Sequence, residues 1–291
     1  QRFDLHRFAE LGAAGVLALF ADSTNIDRRG VSGSEFEVVD AFEEIFTGAR
    51  GKVVVAMFSS SLYRMQIVAD LAEQLRPYLP DGRVAEVVHG GVEASLLDRA
   101  AGASQPEAHQ RQKVRILFVG RLVPEKGVHE LVTALSRIRT GFTLQIVGVG
   151  PERDAMRRQL AGAGLDRVTE FLGGVPHEQV LELMRQADLV VMPSHREGCG
   201  LVPIEAAAVG TPAVVTRTGA MPEVAGCPEA IVEPRDVDAL TDAVRVFVDD
   251  PTMRERCARA SRTKVGESFT WDRIAEQTLE IYERVVAGGG S

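Results

Sequence analysis

Leu189-Val190-Val191-Met192-Pro193-Ser194-His195-Arg196-Glu197-Gly198-Cys199-Gly200-Leu201-Val202-Pro203-Ile204-Glu205 passes from an unbroken apolar run, through a loop carrying two glycines, into a helical pattern. Four apolar residues in a row that stop abruptly read as a strand buried on both faces. A strand followed by such a loop and a helix is a βα unit, and in doubly wound sheets ligands bind beyond the carboxyl ends of the strands. Glu197 is therefore placed at that edge. Gly198 and Gly200 let the backbone approach a bound group closely. The helix beginning there offers N–H groups and a positive dipole end to a phosphate. Glu205 follows two turns after Glu197, so helical spacing can keep it facing the same crevice.

The same alternation extends outward in both directions. Strands are predicted at residues 114–120, 143–148, 168–172, 189–192, 213–216 and 230–232. Helices are predicted near 128–139, 152–163, 177–186, 200–209 and 221–225. Six β-rich runs separated by helices predict an α/β fold, a Rossmann-like doubly wound parallel sheet. Helical stretches at 236–249, 252–269 and 271–286 follow it. Asp236-Val237-Asp238 reads as an N-cap with a first-turn carboxylate rather than a metal signature.

Residues 101–113 lack periodicity and collect Ala, Gly, Ser, Gln and Pro, which marks an interdomain linker. Before it, strands at 16–21, 52–58 and 84–89 and helices near 5–11, 34–46 and 62–75 make a smaller α/β unit. The expected domains are 1–100, a linker at 101–113, the doubly wound domain at 114–287, and a flexible Gly-Gly-Gly-Ser tail at 288–291. The start at Gln1 carries no signal peptide and suggests a trimmed beginning.

Composition excludes several classes. Lys+Arg total 33 against Asp+Glu 41, a net charge of −8, with no basic stripe for a phosphate backbone, so nucleic acid is not an expected partner. The longest apolar runs fall well short of the roughly 20 residues that span a bilayer. Cys199, Cys227 and Cys257 are odd in number and widely spaced, which predicts reduced thiols and a cytoplasmic protein. The six histidines show no ligand spacing, and no metal or cofactor is expected.

Gly120-Arg121-Leu122-Val123-Pro124-Glu125-Lys126-Gly127 follows the first strand of the larger domain. Two cations and two glycines at that turn suit a diphosphate, Arg121 by a planar fork and Lys126 as a point charge. Gly148-Val149-Gly150-Pro151 supplies two glycines of a dinucleotide fingerprint and lacks the third, so it does not make a nicotinamide site.

Taken in order, these motifs resemble the family 4 retaining glycosyltransferases of the GT-B fold, with their G-R-x-x-x-x-K-G, V-G-x-G-P and E-G-x-G-x-x-x-x-E signatures. The resemblance spans about residues 77–287 and includes Val88-His89-Gly90-Gly91-Val92-Glu93. It implies that Arg121 and Lys126 hold the diphosphate of a nucleoside-diphosphate sugar, and that Glu197 is catalytic beside the anomeric carbon. It further implies that Glu205 binds the ribose, and that the backbone of Gly198, Cys199, Gly200 and Leu201 supports sugar and phosphate. The base would lie near Gly174 and Val175. Departures are Cys199, where an aromatic is frequent, and Pro203, which a helix tolerates only within its first turn.

Residues 1–76 resemble ribonuclease J instead, through Phe3-Asp4-Leu5-His6-Arg7-Phe8, Asp22-Ser23-Thr24-Asn25 and Val54-Val55-Ala56-Met57-Phe58. That nuclease family needs an H-x-H-x-D-H ligand run, which is missing here, so nuclease activity is not expected. The combination looks like a chimera. The expected function is donor binding for retaining glycosyl transfer to an acceptor that the sequence does not identify. Where the facing domain is too short to orient that acceptor, a nucleotide-binding scaffold without turnover is the alternative.

Overall fold

The computed structural model of the chain describes residues 19–20, 55–56, 91–101, 113–138, 141–197 and 200–287. The chain divides into one unit made of Gln1–Val88 and Leu279–Ser291, and a second made of His89–Thr278. In the first, β1 (Leu19–Phe20) and β2 (Val55–Ala56) pair in parallel, with Leu19 opposite Val55. The strand expected at 84–89 and the helices expected at 5–11, 34–46 and 62–75 lie outside the described residues. So do most of the 101–113 linker and the tail.

The second unit opens with α1 (Ala94–Ala101), a helix that the sequence reading misses. Then come β3 (Val114–Val119), α2 (Val128–Ser136), β4 (Phe142–Val147), α3 (Arg153–Gly162), β5 (Thr169–Gly173) and α4 (His177–Gln186). They are followed by β6 (Leu189–Met192), α5 (Leu201–Ala208), β7 (Ala213–Thr216), α6 (Met221–Val224) and β8 (Ile231–Val232). Helices α7 (Val237–Asp249), α8 (Pro251–Ser268) and α9 (Trp271–Ala287) complete the described chain.

The sheet runs β5-β4-β3-β6-β7-β8, with every neighbouring pair parallel. The expected doubly wound parallel sheet is the one observed. From β3 the chain steps outward through β4 to β5, returns to the other side of β3 at β6, and steps outward again. The reversal leaves a crevice beyond the carboxyl ends of β3 and β6, where such folds take ligands.

Burial explains why the strands read as apolar runs. All four residues of β6 are buried, and Ile116, Leu117 and Phe118 of β3 are almost wholly so, because helices cover both faces. Helix α2 buries Val128, Leu131, Val132 and Leu135, the i, i+3, i+4, i+7 stripe of one helical face. It packs on α7, whose buried Leu240, Ala243, Val244, Phe247 and Val248 repeat that spacing.

Several boundaries moved for local reasons. The Asp236 side chain accepts a hydrogen bond from the Ala239 N–H at 2.8 Å, so Asp236-Val237-Asp238 is the helix cap that its sequence implies. Asp250 likewise accepts from Thr252 at 2.9 Å and Met253 at 3.1 Å. Helix α8 therefore begins at Pro251, whose missing N–H costs nothing in a first turn. Residues 166–168 form a 3-10 turn, which delays β5 to Thr169.

The expectation of reduced thiols is overturned: Cys227 and Cys257 form a disulfide with their Cα atoms 5.3 Å apart. Gly226 makes this possible. A Cβ there would meet the Cys257 carbonyl oxygen at 2.0 Å, so only glycine lets the loop lie on α8. Cysteine usage therefore gives no argument for a cytoplasmic location. Among the described residues, no helix is long and apolar enough to cross a membrane.

Candidate functional site

The loop after β3 is anchored by Leu122, which is fully buried, while Arg121 beside it is exposed. A short 3-10 turn, Pro124–Lys126, ends at Gly127 in the left-handed conformation with φ 66°. Glycine is required twice over at that position, because a Cβ would meet the Pro193 carbonyl oxygen at 1.9 Å. The β3 loop is thereby pressed onto the loop after β6. The His195 N–H adds a backbone hydrogen bond to the Glu125 carbonyl at 2.7 Å.

That close approach brings two predicted residues together. Lys126 Nζ donates to Glu197 Oε2 at 2.5 Å, with side chains 17% and 13% exposed. Ser194 Oγ donates to the same carboxylate oxygen at 3.3 Å, and Thr216 Oγ1 at the end of β7 donates to the Ser194 carbonyl at 2.5 Å. The ends of β3 and β6 are thus joined through the Glu197 carboxylate, and β7 is tied to the same loop through the Ser194 carbonyl. His195 Nε2 lies 2.9 Å from Glu130 Oε1, close enough for an ion pair although it makes no hydrogen bond.

Gly200 precedes α5 in the left-handed conformation with φ 66°, and no side chain caps the helix. A Cβ at Gly200 would meet Met221 Cγ at 2.7 Å. Because α5 starts at Leu201, Pro203 falls within the first turn, where it is tolerated. Leu201 is 47% exposed at this edge. Gly198 and Cys199 lie outside the described residues.

Glu205 projects from the second turn of α5, and its half-buried carboxylate meets His177 Nε2 at 2.8 Å. His177 opens α4, immediately after Gly174, Val175 and Pro176. Gly174 is exposed, and the exposed Val149 of the β4 loop borders it, with Cγ1 3.8 Å from where a Gly174 Cβ would stand. Two of the predicted positions are therefore connected through His177, which the sequence reading does not single out. Among the described residues, Arg121 forms no hydrogen bond or ion pair through its side chain with the other candidates.

Gly148 and Gly150 receive a different explanation from the fragmentary fingerprint. A Cβ at Gly148 would meet the Gly120 carbonyl oxygen at 1.8 Å, and one at Gly150 would meet the Leu122 carbonyl oxygen at 2.2 Å. They let the β4 loop lie on the β3 loop and so hold Arg121 and Lys126 in place. Among the described residues, no group of three or more His, Cys, Asp or Glu side chains is arranged to hold a metal ion.

The family described as Glycosyl transferases group 1 matches residues 103–264, more than half of the chain. Over 204 residues the chain is 38% identical to the glycogen synthase of Mycobacterium tuberculosis, covering 67% of this chain and 47% of that protein. Over 208 residues it is 32% identical to the MMP alpha-(1->4)-mannosyltransferase of Mycolicibacterium hassiacum, covering 69% and 48%. The chain spans about half the length of these curated relatives. In fold it is similar to the crystal structure of Anabaena HepE in complex with UDP, with TM-score 0.70 and 18% identity over 96% of this chain and 82% of that one. These similarities bear on the glycosyltransferase reading and lend none to a ribonuclease J-like start.

Proposed function

The chain belongs to the glycosyl transferases group 1 family, and from that premise we propose that its six-stranded unit binds a nucleoside-diphosphate sugar at the β3/β6 crevice for retaining glycosyl transfer. The observation that carries this reading is the Lys126–Glu197 pair, which sets a cation and a carboxylate side by side at the topological switch point. In the proposal Lys126 and Arg121 take the diphosphate, the start of α5 at Leu201 supplies backbone N–H groups, and the residues 198–200 before it support sugar and phosphate. Glu197 faces the sugar, Glu205 the ribose, and the Gly174-Val175 backbone the base.

Bond breaking at the anomeric carbon sends an electron pair onto the departing diphosphate oxygen. Cations and a helix N-terminus already aimed at that oxygen stabilise the developing charge more than the ground state, which is what accelerates the step. The reading assigns no role to a metal. The acceptor hydroxyl bonds to the same face that the diphosphate leaves, and it gives up its proton as the leaving oxygen gains one. Orienting that hydroxyl and excluding water require a facing domain.

HepE was crystallised with UDP, which makes UDP-sugars the first donors to try, followed by GDP- and ADP-sugars. The test is to incubate the chain with these α-linked donors and follow the released or transferred sugar by NMR. An α-configured first product that disappears with Glu197→Ala supports the proposal. A β-configured first product would overturn retention, and turnover untouched by Glu197→Ala would remove Glu197 from the site.

A further inference from the structure

Glu205 is an unusual member of the crevice. Its side chain is 13% exposed, yet its carboxylate has a single polar side-chain partner among the described residues, the 64% exposed His177. An ionised carboxylate offers about four acceptor positions, so the contact with His177 leaves others open to a ligand. The neighbours Ile204, Ala206, Ala207 and Ala208 are buried and apolar, and they contribute no side-chain donor. An exposed histidine beside a surface carboxylate is ordinarily worth little. Here one partner is nearly buried and the two sit on different helices, 28 residues apart, so the contact fixes where the carboxylate points.

We propose that His177 is a positioning residue for nucleotide recognition: it holds Oε1 of Glu205 so that the carboxylate presents its remaining acceptor sites to the vicinal hydroxyls of a ribose. This rests on the reading of the crevice as a nucleotide site. A 2′,3′-diol supplies two O–H donors to one carboxylate, and a carboxylate free to rotate would pay conformational entropy to meet both. The placement of His177 suits the task. It begins α4 directly after the Gly174-Val175-Pro176 segment, so whatever lies along that backbone is within the imidazole's neighbourhood. His177 thereby links the loop after β5 to α5, two parts of the crevice that no motif joins.

The test measures affinity for UDP, GDP and ADP and for their 2′-deoxy counterparts in the native chain, His177→Ala, His177→Gln and Glu205→Ala. The native chain is expected to prefer the ribonucleotide, and Glu205→Ala to abolish that preference. His177→Ala should reduce it by roughly three- to tenfold, the worth of one well-made hydrogen bond. The affinity for the deoxynucleotide, which keeps only the 3′-hydroxyl, should fall less. His177→Gln, whose amide N–H can reach the same oxygen, should restore most of the preference. If Glu205→Ala abolishes the preference while His177→Ala leaves it intact, the positioning role is wrong and the ribose reading of Glu205 stands. Equal weakening of both nucleotides by His177→Ala would make His177 merely structural and equally overturn the role. A preference that survives Glu205→Ala overturns the ribose reading and this inference with it.

Discussion

Lys126 Nζ and Glu197 Oε2 lie 2.5 Å apart, joining loops that are 71 residues distant in sequence at the point where the sheet reverses its winding. Each charge answers the other. A diphosphate entering the crevice would compete with Glu197 for the lysine.

Glu197→Gln should therefore bind nucleoside diphosphates as well as the native chain or several-fold more tightly, while losing glycosyl transfer. The pair is neither fully buried nor exposed, so the stability cost should fall between about 1 kcal/mol for exposed pairs and about 3 kcal/mol for buried ones. Titration and denaturant unfolding of the same variant check both halves. Markedly weaker nucleotide binding would mean that Glu197 supports the ligand rather than opposing it.

Gly127→Ala should be far more disruptive than an ordinary surface substitution. It forces a side chain into left-handed backbone and onto the Pro193 carbonyl. The left-handed strain alone costs about 1–3 kcal/mol. Urea unfolding should show a loss of at least about 2 kcal/mol, with nucleotide affinity falling too as the two loops separate. A neutral substitution would contradict the contact.

The disulfide closes a segment of 30 residues, which in the chain-entropy view stabilises the fold by about 3–4 kcal/mol. Cys227→Ser with Cys257→Ser, or the native chain under reductant, should unfold at lower denaturant by an amount in the typical range of about 2–4 kcal/mol. Equal midpoints with and without reductant would show that the bond contributes nothing.

His129, in the first turn of α2, supplies a pH dependence of stability. Its pKa is raised above 6.5: burial opposes the charge, but hydrogen bonds to Gln159 and Glu152 and the carboxylates of Glu152 and Glu130 outweigh it. Gln159 Nε2 already donates to the His129 carbonyl and Thr133 Oγ1, so its oxygen faces Nδ1 while Glu152 faces Nε2 at 2.7 Å. Acceptors on both nitrogens favour the imidazolium. A raised folded pKa contributes stability that is fully present below the unfolded value near 6.5 and is lost as pH rises through the folded value. Native minus His129→Gln stability should accordingly fall as pH rises above about 6.5. A difference that rises there would reverse the sign of the argument.

Much of the fold was legible because burial writes itself into the sequence. Residues 189–192 read as a strand since both faces are covered, and Glu197 could be placed at the sheet edge from that strand and the helix after it. Lys126 and Glu197 were each visible as motif members, but their contact depends on β3 and β6 being neighbours, which spacing does not specify. Thr216 and His177 belong to no motif, and they matter only through strands and helices that tertiary packing brings together, whereas Ser194 meets Glu197 within a single loop. Helix α1 was missed because eight residues beside a Gly- and Ala-rich segment give too little periodicity. Cys227 and Cys257 meet only because Gly226 lets a loop rest on α8, a close approach that leaves no mark in cysteine spacing.

The central claim, that the β3/β6 crevice is a nucleoside-diphosphate site, is tested most directly by calorimetric titration of the native chain and an Arg121→Ala, Lys126→Ala variant with UDP, GDP and ADP. Two cations facing a diphosphate should each be worth several-fold to about a hundredfold in affinity. The account predicts saturable binding of at least one nucleotide by the native chain and marked weakening in the variant, with its fold intact by circular dichroism. Equal affinity in the two proteins, or no binding of any of the three nucleotides by the folded native chain, would contradict it.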